Sequence, residues 1–121
     1  MDVQLECEIS IGLDEISSIF LATERVVVSL GLKPPKIYLV RVFCRREPKD
    51  MIKVDEGVYV DLGVIAVRGG VLPNVMYDEL IKGYIALALI ETYKSLDKEL
   101  VEKISGKYYL SIVRDALWGV K

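Results

Sequence analysis

The stretch that most limits what this chain can become is Tyr77 to Tyr93, whose middle, Tyr84-Ile85-Ala86-Leu87-Ala88-Leu89-Ile90, carries no charge. A helix that is apolar on nearly every side must be packed on nearly every side. Residues 77–95 are therefore expected to form a core helix around which the rest is built. Gly83 costs about 1 kcal/mol relative to Ala inside a helix, so its presence predicts close approach of a strand or a second helix. Asn74 is the expected N-cap, and Asp78 and Glu79 are expected to complement the positive end of the helix dipole.

Upstream, Val3, Leu5, Cys7, Ile9 and Ile11 alternate with polar residues, the period of a strand buried on one face. Asp14 is the expected N-cap of a helix with apolar positions Ile16, Ile19, Phe20, Val27 and Leu30, closed by Gly31. Lys36 to Arg46 is apolar on both faces and reads as a central strand. Strand, helix and strand in this order predict a parallel pair. Next, Met51–Val54 and Val58–Asp61 flank Asp55-Glu56-Gly57, with Gly57 suited to the left-handed position of a hairpin loop. Leu62-Gly63 reads as a bulge before Val64–Val67.

Beyond the core helix, Asp97–Ser105 is expected as a short helix stopped by Gly106. Lys107–Trp118 is expected as a last helix burying Tyr109, Leu110, Val113, Ala116 and Leu117. The whole predicts one α+β domain over residues 1–121: a β-α-β unit, a β-hairpin and two to three C-terminal helices, with a mixed sheet on the core helix.

The hydrophobic fraction of 52% is high for an average composition. Its surplus has two sinks, a homo-oligomeric interface or a very apolar monomer core. No run reaches the roughly 18 apolar residues of a membrane span, and the first residues lack a basic segment followed by an apolar one. A cytoplasmic protein without a membrane partner is expected. One Asn, one Gln and no His beside 28% charged residues form a thermophile pattern. That pattern leaves Cys7 and Cys44 with two readings: free buried thiols, as in most cytosolic proteins, or a disulfide, as in hyperthermophiles.

Charge is segmented along the chain. Residues 1–32 hold six acids and one base, whereas residues 33–53 hold seven bases and two acids. Arg41, Arg45, Arg46, Lys49 and Lys53 are candidate nucleic-acid contacts in this basic segment. The competing reading is a strand edge that faces the chain's own acids. The aromatic residues Tyr108, Tyr109 and Trp118 are candidate interface anchors or core residues.

The lack of His removes imidazole catalysis and the usual catalytic zinc sites. Carboxylate-bound Mg²⁺ asks only for one or two acids with waters and phosphates, and Asp55, Glu56 and Asp61 are close enough in sequence to be considered. Asp55, Asp61, Asp78 and Glu79 make up the candidate acidic site. A restriction-type nuclease core needs an acid followed by acid-x-Lys on adjacent strands, and the nearest match, Glu47-Pro48-Lys49, has Pro in the strand. The strand order before a helix bearing Asp78-Glu79-Leu80-Ile81-Lys82 resembles the zincin metalloprotease core over residues 36–95. In that family His-Glu-x-x-His supplies the general base and two zinc ligands. Glu79 matches the Glu, while Asp78 and Lys82 replace the histidines, so the resemblance implies a scaffold without zinc or peptidase activity.

The leading expectation is a small, self-associating, non-catalytic interaction protein without metal or cofactor. Nucleic-acid binding through residues 33–53 is the alternative. A catalytically dead zincin-like scaffold, or a Mg²⁺-dependent nuclease or phosphotransfer enzyme, stands third.

Overall fold

Alternation along the strands divides an α+β fold into one covered and one open sheet face. A computed structural model, which describes residues 1–119, runs β1 (Asp2–Leu5), α1 (Leu13–Ser29), β2 (Leu39–Phe43), β3 (Ile52–Asp55), β4 (Val58–Asp61), β5 (Val64–Arg68), α2 (Pro73–Tyr93) and α3 (Lys98–Trp118). The strands form a mixed sheet in the order β1-β2-β5-β4-β3. β1 and β5 run parallel to β2, and β4 is antiparallel to both β3 and β5. Val40, Val42, Val58, Val60, Ile65 and Val67 share one core with the helices. On the other face Phe43, Tyr59 and Ala66 form a smaller cluster, with Met51 laid against it.

Residues 76–89 of α2 are all buried except Asp78. Gly83 lets α2 settle onto the sheet: a Cβ there would lie 2.6 Å from Ile65 Cγ2. The helix starts on Pro73, with Leu72 and not Asn74 as N-cap. Proline suits this position because its missing N–H would be unpaired in any case. Asp78 and Glu79 consequently lie beyond the first turn, outside the reach of the helix dipole, and another cause must hold them.

Several expected boundaries move. β1 ends at Leu5, far short of Ile11. Gly12, not Asp14, caps α1, and Glu15 closes the cap by accepting the Gly12 N–H at 2.6 Å. Leu62-Gly63 is a tight turn that pairs Asp61 with Val64, not a bulge within one strand. Gly106 lies inside the single long helix α3, where tertiary packing of Val101, Ser105 and Ile112 overrides its low helix propensity. On that helix Leu110 is 73% exposed and Leu117 is also exposed, so neither joins the buried side. Among the described residues, no helix is long and apolar enough to cross a membrane.

β2 and β3 point the same way but are separated by β5 and β4, so residues 44–51 must travel back across the sheet. They do so over the open face, as a strap. Met51 packs on Phe43, Tyr59 and Ala66, and Arg41 Nη1 lies 4.0 Å from Met51 Sδ. Cys44, where the strap begins, is joined to Cys7 by a disulfide with Cα atoms 6.3 Å apart.

Candidate functional site

The acidic candidates separate into two places because β4 lies between them. Asp55 precedes its first residue and Asp61 is its last. Asp61 is exposed and accepts the Leu62 N–H at 2.8 Å. At the other end, the β3 register slips by one residue between Lys53 and Asp55. Such irregularities re-aim side chains: Val54 enters the main core and Asp55 reaches α2.

There Lys82 Nζ donates to Asp55 Oδ2 at 2.8 Å and pairs with Asp78 Oδ2 at 3.0 Å and Glu102 Oε2 at 3.3 Å. One ammonium, on a residue only 8% exposed, thus ties β3, α2 and α3 together. Burial alone would lower its pKa, but the hydrogen bonds to Asp55 and Asp78 outweigh this and hold it above the ordinary lysine value. The bond from Lys82 in turn holds Asp55 below the usual carboxylate range. The two positions that the zincin resemblance assigned to lost metal ligands, Asp78 and Lys82, are here each other's ion-pair partners.

Glu79 differs from its neighbours. It is 5% exposed, and among the described residues its Oε1 has no hydrogen-bond partner. Burial pushes its pKa up to about 8, only partly offset by Arg68. Its carboxyl lies against Gly57, where a Cβ would collide with Oε2. Burial therefore favours the protonated form of Glu79, which packs beneath a hairpin turn. Among the described residues, no group of three His, Cys, Asp or Glu side chains is placed to hold a metal ion.

The basic candidates also divide. Arg41 faces Glu6 at 3.9 Å, and Lys53 pairs with Glu56 at 2.8 Å. Both are answered by the chain's own acids. Arg45, Arg46 and Lys49 lie on the strap, exposed, and none has a carboxylate in ion-pairing range among the described residues. They line an open depression of about 880 Å³ together with Glu47 and Arg68. Across the strap, Arg46 and Lys49 also border a trough of about 620 Å³ over Leu39, Arg41 and Val64.

Glu47 anchors the strap by accepting from Arg68 Nη2 at 3.3 Å. Burial, followed by the nearby Glu47 carboxylate, raises the pKa of Tyr59 beneath it. Arg68 and Glu102 were invisible as partners in the sequence, since both come from distant elements. The Asp78–Lys82 pair, four residues apart on one helix, was readable from spacing.

Compared with known protein families, curated proteins and solved structures, the chain matches none. Fold and site therefore define an α+β protein with a caged lysine on one side and, on the other, a strap whose Arg45, Arg46 and Lys49 have no ion-pair partner among the described residues.

Proposed function

We propose that this chain is a non-catalytic binding protein whose strap takes the phosphate backbone of nucleic acid. The observation that carries the reading is the convergence of Arg45, Arg46 and Lys49, exposed and without ion-pair partners among the described residues, on one concave surface. Phosphate neutralisation by such groups supplies affinity without sequence selection. Among the described residues, no exposed aromatic ring lines either depression. Stacking on unpaired bases, the usual device for single strands, has no platform here, which favours a duplex. The candidate acids are dispersed: Asp55 and Asp78 serve Lys82, Glu79 lies under Gly57, and Asp61 stands alone and exposed at the far end of β4.

Three phosphate contacts predict a log–log salt slope of about −2.7, or about fortyfold weaker duplex binding between about 50 and 200 mM salt. Fluorescence anisotropy with a short DNA duplex measures it. Binding that ignores salt, or that survives Arg45→Ala/Arg46→Ala/Lys49→Ala unchanged, would remove the reading.

Self-association is a second reading, supported by a groove of about 650 Å³ between Pro34-Pro35, the β4–β5 turn and the end of α2. Tyr38, Ile52 and Leu62 border it at 63%, 51% and 86% exposure. A monomer by light scattering at micromolar concentration would reject it. A dimer should dissociate on Leu62→Glu.

A further inference from the structure

We propose that the Cys7–Cys44 disulfide is a redox latch on the strap, an inference that rests on the anion-binding reading above. Cys44 directly precedes Arg45 and Arg46, so the bridge fixes the backbone from which two of the three unpaired cations project. The other end is held by different means, through Met51 on Phe43, Tyr59 and Ala66 and through Glu47 on Arg68. Opening the bridge would therefore release the Arg45–Arg46 end while the Lys49 end stays seated.

The fold makes room for this bond. A Cβ on Gly69 would lie 2.5 Å from Cys7 Sγ and 3.2 Å from Cys44 Sγ, and the Gly69 N–H donates to Phe43 O at 2.7 Å. Any larger residue at 69 would displace the sulfurs or the end of β2. Glu6 N–H donates to Val42 O at 3.0 Å, which brings the chain beside Cys7 alongside β2.

Cys44 is part of the lining of the 880 Å³ depression, and neither cysteine is fully buried. A reductant can thus approach from the cavity the anion would fill. The step needs a dithiol reductant. One of its thiolates attacks a bridge sulfur to form a mixed disulfide and expels the other cysteine as a thiolate. The second reductant thiolate then displaces the first protein sulfur, leaving two protein thiols and a cyclic disulfide, a two-electron exchange. Nearby Arg45, Arg46 and Lys49 favour the approach of an anionic thiolate. A nucleic acid on the same cations would oppose it, and by linkage reduction would weaken nucleic-acid binding by the factor by which binding favours the oxidised state.

The test uses the full chain and a DNA duplex, with redox state verified by thiol trapping and mass, and folding of the reduced form by circular dichroism. Oxidised protein is expected to bind about tenfold more tightly than reduced protein, because an ordered loop loses less freedom on binding. Cys7→Ser/Cys44→Ser should bind like the reduced form under either condition. Equal affinity in both redox states overturns the latch and leaves the anion site standing. No binding by the oxidised form at low salt removes both. Should reduction unfold the chain, the rate of bridge reduction decides: saturating duplex must slow it, and an unchanged rate overturns the latch.

Discussion

Lys82 and Lys49 carry the same ammonium on the same flexible stem, and the fold treats them oppositely. Lys82 is enclosed by carboxylates from β3, α2 and α3, while Lys49 stands exposed with no acidic partner among the described residues. A cation that its own chain has satisfied holds structure together and has little left for a ligand. One held at a concave surface without a partner keeps its attraction for an outside anion. Charge density along the sequence does not separate the two roles, because Lys82 lies in a balanced region and Lys53, inside the basic one, is already paired.

The contrast can be broken at several points. The largest stability effect is expected on the strap side, where Cys7→Ser/Cys44→Ser opens a bridge spanning 37 residues. For a loop of that size about 4 kcal/mol should be lost in urea unfolding. On the caged side, Lys82→Ala should cost about 3 kcal/mol, since it strands clustered acids and removes a buried stem. A loss no larger than that of an exposed lysine would show the cage to be incidental.

Glu79→Gln probes the same region through pH. The folded pKa of about 8 lies above the ordinary 4.5, so the protonated acid favours folding below pH 4.5. That contribution is lost as pH rises from 4.5 through about 8, on the order of 5 kcal/mol in all. The Gln variant should flatten this decline, and parallel melting curves from pH 5 to 9 would refute it. Smallest in stability but most diagnostic for function are the strap charges. Arg45→Ala or Arg46→Ala should leave melting unchanged and reduce the salt slope by about 0.9 each, whereas Lys53→Ala, already paired, should leave binding close to wild type.

Much of the fold was legible because periodicity reports which residues are buried. The alternation of Val40, Val42 and the β3–β4 hairpin pointed to a mixed sheet, and Gly83 pointed to the strand that now lies against it. Helix ends were less legible. Gly106 looked like a stop, yet burial of Val101, Ser105 and Ile112 on either side carries α3 through it. Sequence alone assigns Asp78 and Glu79 to the helix dipole, but Pro73 at the start of α2 places both too far along. Of the five basic candidates, three have no ion-pair partner among the described residues. Their identity depends on where Glu6 and Glu56 fall, which spacing does not report.

By itself, then, the sequence determined the element types, the parallel β1–β2 pair and the buried core helix, since these follow from local pattern and hydrophobic burial. Only the tertiary structure decided which charges cancel: the β2–β3 connection had to cross the open face, because two strands intervene. That crossing left Arg45, Arg46 and Lys49 outside ion-pairing range of any carboxylate among the described residues, and folding of α3 against α2 brought Glu102 to Lys82. Ion pairing depends on distance in space, and between residues from different elements that distance exists only once the chain is folded.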